Sequence, residues 1–256
     1  MSLNLVNYSD SSSDEEIEVQ KNPPLPKSKL PNPFQKTNEV NKQEDDGSAK
    51  HNGRIRLFPH ERGNWATYIY IHYPKTDFIV RLQNELLDQI KSTSTLETIE
   101  FHPNEELHLS LTRTVVLQHH WIDEFVRSVE QKLRNTNRFW INLSSIQIYC
   151  NDNQTRTFIS LSFAEKNTNS TQNLQNIVNQ LDSCLKEFKL PSFYKEASFH
   201  VSLLWCLGDR RNELHALLPQ FCKLLEHLSS IDDSNLTIDV EKLFCKIGNK
   251  LYSFHL

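Results

Sequence analysis

The stretch ELHLSLTRTVVL, residues 106–117, decides how the rest of the chain is read. In it His108, Ser110 and Thr112 alternate with Leu107, Leu109 and Leu111. A period of two is the mark of a strand with one buried face. The leucines then point to a core and the three polar groups share the opposite face, on a strand expected over Leu107–Val116. A second stretch, ASFHVSLLWCLG from Ala197, has the same form, with His200 and Ser202 set against Phe199, Val201, Leu203 and Trp205. Each pattern by itself fits an ordinary half-exposed strand. Two of them call for an explanation.

Working outward, the segments around both strands repeat in order. Trp65–Tyr73 is rich in aromatic and β-branched residues and predicts a strand. Residues 76–92 place Ile79, Leu82, Leu86 and Ile90 on one helical face. Residues 121–135 do the same with Ile122, Phe125, Val126, Val129 and Leu133. In the second half, residues 138–165 predict two strands joined by a turn at Asn151–Gln154, followed by a helix with Leu174, Ile177, Val178, Leu181, Leu185 and Phe188 on one side. A helix from about Arg211 to Leu228 and a hairpin around IGNK close the chain. His200 follows His108 by 92 residues, and the same offset carries the first strand and first helix onto the second set. A duplicated αβ unit accounts for this: an α+β fold of two pseudo-symmetric lobes, at about 51–138 and 139–256, each an antiparallel sheet flanked by helices, with a central cleft.

Residues 1–50 differ in kind. They hold five of the ten prolines, with six lysines against nine acidic residues and no apolar periodicity. Such a segment cannot bury enough apolar surface to offset its ordering entropy, so it is expected to be a disordered acidic tail. The remainder is near neutral, which does not suit a protein that coats duplex nucleic acid non-specifically but leaves room for a nucleic-acid end held in a cleft. Five widely spaced cysteines with no C-x-x-C argue against a disulfide framework and a zinc site. No apolar run reaches membrane-spanning length and no signal-peptide pattern opens the chain, so a reducing compartment, cytosol or nucleus, is expected.

Two His-x-Ser strands facing one cleft would form a defined chemical device. Imidazoles titrate near neutral pH and can serve as general base and general acid. Serine hydroxyls can donate to the non-bridging oxygens of a phosphate held between them. A third instance, His227-Leu228-Ser229, lies at the end of a helical pattern where positions two apart do not face the same way, and is read as chance. His119 and His120 are adjacent and point apart, so no metal pair is expected there. Arg54, Arg56 and Arg62 near Trp65 are candidates for phosphate contacts or for surface pairs with acids such as Glu61.

The paired motifs resemble the two-histidine (2H) phosphoesterase superfamily. The stretches RLFPHERGNWATYIYI, ELHLSLTRTVVLQHHWI, FYKEASFHVSLLW and CKIGNKLYSF resemble its branch of U6 small nuclear RNA phosphodiesterases, over residues 51–256. The resemblance implies that His108 and His200 are catalytic, that Ser110 and Ser202 hold phosphate, and that Tyr194 stacks on a base. It implies a 3′-5′ exoribonuclease with no metal and no cofactor, located in the nucleus. Its partner would be the oligouridine 3′ end of U6 RNA, not DNA or membrane, and it would act as a monomer. Attack by the penultimate 2′-hydroxyl would leave a 2′,3′-cyclic phosphate. Which histidine is base and which is acid stays open. A cyclic phosphodiesterase using the same four side chains, or a non-catalytic RNA-end binder, are the alternatives.

Overall fold

The computed structural model describes residues 61–256 apart from 94–95, 166–167 and 232–235. The expected acidic tail, and with it Arg54 and Arg56, lies outside the described residues. The elements in chain order are β1 (Asn64–Tyr73), α1 (Asp77–Lys91), β2 (Phe101–Pro103), β3 (Leu107–Ser110), β4 (Val115–Gln118), α2 (Ile122–Leu133) and β5 (Phe139–Asn142). They continue with β6 (Ser145–Cys150), β7 (Arg156–Ser162), α3 (Asn169–Glu187), β8 (His200–Leu207), α4 (Arg211–His215), α5 (Leu218–Ser229), β9 (Thr237–Val240), β10 (Lys242–Ile247) and β11 (Lys250–His255).

The helices form where the apolar spacing calls for them. In α1, Thr76 caps the first turn by accepting from the Ile79 backbone N–H, and the residues buried are Ile79, Leu82, Gln83, Leu86 and Ile90. Each such aliphatic side chain contributes roughly 1.5–3 kcal/mol on burial. α3 begins with a capping box between Thr168 and Thr171. The single helix expected from Arg211 is two, α4 and α5. Pro219 sits in the first turn of α5, where its missing N–H costs nothing, but it cannot continue a helix arriving from Arg211.

All the described strands except β5 and β9 join one antiparallel sheet, in the order β11-β10-β1-β3-β8-β7-β6, with β2 on β8 and β4 on β1. The expectation of one sheet per lobe is therefore corrected: the two halves are joined edge to edge, through Leu109 of β3 paired with Val201 of β8. Nor do the halves follow the chain boundary near residue 138. The C-terminal hairpin β10–β11 pairs with β1, so the end of the chain completes the half that carries His108. The helical layer also crosses over, α1 packing on α5 and α2 on α3. Gln83 of α1 reaches β8 directly, its Nε2 donating to the Leu203 carbonyl at 2.9 Å. Offset by 92, β1 falls on β7, α1 on α3 and β3 on the start of β8, so the repeat seen in the sequence follows the element order of the fold.

The strand expected over Leu107–Val116 breaks after Ser110. The backbone N–H groups of Leu111 and Thr112 both donate to the Ile69 carbonyl, and the Thr112 Oγ1 accepts from the Ile69 N–H at 2.9 Å. Thr112 is thereby turned inward and buried, and does not share the face of His108 and Ser110. Its hydroxyl satisfies a buried backbone donor that the broken ladder would leave unpaired.

Candidate active site

β1 buries Thr67, Ile69, Ile71 and Tyr73, and β10 buries Leu243, Cys245 and Ile247. Alternation then sends Tyr68, Tyr70, His72, Phe244 and Lys246 to the other face, and on β3 and β8 it sends His108, Ser110, His200 and Ser202 there too. The Leu109–Val201 pair sets the antiparallel register: His108 lies beside Ser202, and Ser110 beside His200. Two transverse rows result. One runs Phe244, Tyr70, Ser110, His200, Ser162, and the other His72, His108, Ser202, Ser160. Neighbouring strands are roughly 4.8 Å apart, so both imidazoles and both hydroxyls form one close group on this face.

Each imidazole is oriented by its own strand. His200 Nδ1 lies 2.7 Å from the Ser198 carbonyl, and His108 Nδ1 lies 3.4 Å from the Glu106 carbonyl. A carbonyl only accepts, so in both rings Nδ1 carries the proton and Nε2 is left to exchange one with a substrate. Both pKa values are lowered from 6.5, chiefly by burial of the ring, with the backbone carbonyls opposing. His72 and Lys246 lower His108 further, and His108 does the same to His200. Neutral imidazoles are thus favoured, and charging one makes charging the other harder.

Several supporting residues have no signature in the sequence. Tyr149 of β6 stacks on His200 at 3.9 Å between ring centroids and 16° between planes. Its hydroxyl is held by Ser198 at 2.8 Å and Ser162 at 3.3 Å. Buried Ser160 donates to the Ser202 Oγ at 3.2 Å, which leaves the Ser202 proton free for another acceptor. Asn104 Nδ2 donates to the Ser202 carbonyl at 2.8 Å and fixes that stretch of β8. On the other side, His108 meets Tyr70 edge-on at 5.3 Å and Tyr68 at 5.9 Å. An i+2 serine could be seen in the linear pattern; partners from other strands could not.

Tyr194 lies in the loop before β8 and is exposed, so it is not a core aromatic. The Arg113 guanidinium lies 3.8 Å over its ring, and Asp152 accepts from the Tyr194 hydroxyl and pairs with Arg113, both at 3.4 Å. Loops after β3, between β6 and β7, and before β8 therefore meet at this ring. His227 and Ser229 are on α5, not on β3 or β8. His119 faces Trp65 and His120 faces Trp121, so the two rings have separate neighbours. Arg62 is exposed, and Glu61 accepts from Asn64 rather than pairing with it. All five cysteines are free thiols.

Comparison with known proteins agrees with this geometry. The model of a family described as HVSL, an uncharacterised conserved protein, matches residues 23–255. The four letters read in this chain as His200-Val201-Ser202-Leu203 of β8. The match begins inside the segment set aside above as a tail, so the resemblance extends well before residue 51. The U6 snRNA phosphodiesterase 1 of Homo sapiens is 35% identical over 270 residues, covering 98% of both chains. That of Rattus norvegicus is 38% identical over 271 residues, again 98% of both. The Drosophila melanogaster protein of the same name is 40% identical over 247 residues, 92% of this chain and 88% of its own. The solved structure of Kluyveromyces marxianus Usb1 with uridine monophosphate has the same fold, with a TM-score of 0.51 at 15% identity over 74% of this chain and 98% of that one. The chain belongs to the U6 snRNA phosphodiesterase family.

Proposed function

We propose that this protein is a 3′-5′ exoribonuclease of the phosphodiesterase type that trims the oligouridine 3′ end of U6 snRNA. The observation that carries the reading is the register of β3 and β8, which sets His108 beside Ser202 and Ser110 beside His200 on one face. A phosphodiester placed there meets two hydroxyl donors and two imidazoles whose Nδ1 protons are already committed to backbone carbonyls. One histidine takes the proton of the penultimate 2′-hydroxyl. The oxygen attacks the adjacent phosphorus, and the other histidine, which enters as the imidazolium with a second proton on Nε2, gives that proton to the departing 5′-oxygen of the last nucleotide. Ser110 and Ser202 donate to the non-bridging oxygens as negative charge builds on them. The products are one nucleoside and an RNA ending in a 2′,3′-cyclic phosphate. No added nucleophile is needed, because the substrate supplies it.

Tyr194 is the platform for the terminal base. It is exposed, and Arg113 and Asp152 hold it in one orientation, which lowers the entropy lost on stacking. On this reading the protein works as a monomer in the nucleus; a fluorescent fusion and sedimentation check those two points. Oligouridine RNA with a 2′-deoxy penultimate ribose tests the chemistry. Mass spectrometry should find multiple turnovers and a cyclic phosphate end with ordinary RNA, and no cleavage at the final linkage of the deoxy substrate. Normal cleavage of the deoxy substrate would overturn the mechanism.

A further inference from the structure

Strand alternation leaves an anomaly on the half of the sheet that carries His108. Positions facing away from the core are expected to be polar. Three of them, Tyr68, Tyr70 and Phe244, are aromatic and only partly covered. Tyr70 and Phe244 are register partners on β1 and β10, with ring centroids 5.8 Å apart and planes within 26°. Tyr68 lies 5.3 Å from Tyr70. The row is continuous with the catalytic face, because Tyr70 is also the register partner of Ser110 and touches His108 edge-on. Lys246, the register partner of Tyr68, stands at its edge and is only loosely paired with Glu106 at 3.9 Å. Burial, helped by Tyr70 and Glu106, pushes the Tyr68 hydroxyl up to about 12, so it stays a hydrogen-bond donor.

We infer that the Tyr68–Tyr70–Phe244 row is a second nucleobase subsite, which seats the base of the penultimate nucleotide, the one whose 2′-hydroxyl attacks, with Lys246 placed toward the phosphate upstream of it. The inference rests on the phosphodiesterase reading above. A scissile phosphate between Ser110 and Ser202 has a nucleoside on each side. Tyr194, tied to Asp152 in the β6–β7 turn, serves one of them, and the aromatic row lies across the histidines on the β1–β10 side. Aromatic rings accept any base by stacking, and a cation beside them suits the polyanionic strand. Seating this base would also aim the ribose that provides the nucleophile, which is the group whose placement matters most for in-line attack.

The test compares two dinucleotides with the full-length protein: UpU, and an analogue in which the first residue is an abasic ribose that keeps its 2′-hydroxyl. Phe244→Leu keeps apolar volume but removes the ring, and Phe244 does not contact either catalytic histidine in the ring pairs described. The kcat/KM for UpU should fall on the order of tenfold, the worth of one stacked base, while kinetics on the abasic analogue stay as in the unaltered protein. Equal effects on both substrates, or none on either, would overturn the subsite. A second readout does not depend on turnover. In Phe244→Trp, indole fluorescence should be quenched by non-cleavable 2′-deoxy UpU and not by its abasic counterpart, and identical responses to the two would again overturn it. Failure of the phosphodiesterase reading looks different: the unaltered protein would not turn over UpU at all.

Discussion

His108 and His200 occupy equivalent places in a repeated unit, yet their surroundings differ. Both follow the same backbone rule, with Nδ1 turned to the carbonyl two residues earlier. Beyond that, His108 borders Tyr68 and Tyr70, with Phe244 behind Tyr70, and lies near His72 and Lys246. His200 lies flat on Tyr149 amid hydroxyls, with Ser160 behind Ser202 and Ser162 and Ser198 holding the tyrosine. Duplication thus conserved what a strand determines by itself, the direction of the imidazole, and left the lateral neighbours free to diverge. One side presents rings beside its imidazole, and the other presents a stacked tyrosine and a set of hydroxyls.

The largest expected effect probes what the halves share. His108→Ala and His200→Ala should each lower the rate by about 10²–10⁴-fold. The double variant should lose far less than the product, since both act in one transfer. Initial rates on oligouridine decide it, with His227→Ala as the unaffected control. Full activity in either single variant would mean that the two halves are not two parts of one site.

Next come the hydroxyls, where the comparison sharpens. Ser110→Ala and Ser202→Ala should each cost about 10²–10³-fold, the usual loss for a donor to developing oxyanion charge. Ser160→Ala acts only through Ser202 and should cost about tenfold or less, in keeping with one neutral hydrogen bond. Combining Ser160→Ala with Ser202→Ala should add nothing to Ser202→Ala, and an additive result would show that Ser160 works by another route.

Tyr194→Ala should raise KM for oligouridine with a stacking loss of roughly 1–3 kcal/mol, and Tyr194→Phe should largely restore it. Arg113→Ala should move KM in the same direction by less, because it removes the clamp and leaves the ring.

The smallest effect concerns pH and stability. Folding lowers both histidine pKa values below 6.5. Between the folded and unfolded values the unfolded chain binds more protons, so stability rises with pH there. It is fully present above 6.5 and is lost as pH falls through the lowered pKa values. Thermal unfolding should therefore show a lower Tm at pH 5 than at pH 7, with a smaller difference in His200→Ala. An equal difference would locate the effect elsewhere. In the same way, activity should survive excess EDTA, since side chains already provide proton transfer and charge stabilisation; recovery on adding a divalent ion would contradict that.

What the chain reveals on its own is whatever repeats at short range. The faces of α1 and α3 and the alternation around His108 and His200 depend on neighbours two to four positions apart, so side-chain type alone exposes them, and the 92-residue offset is the recurrence of those local patterns. Thr112 marks where that logic stops. It keeps the period-two pattern, but the buried Ile69 N–H needed an acceptor and drew it inward. The rest was decided by strand pairing. That β3 lies beside β8, in a register setting each histidine against the other strand's serine, follows from which apolar faces can be buried together. Likewise Phe244 and Lys246 come from the last fifteen residues of the sequence to stand beside Tyr70 and Tyr68, because β10 closes the free edge of β1. Such edges leave no local trace, since pairing is settled only when the whole core packs.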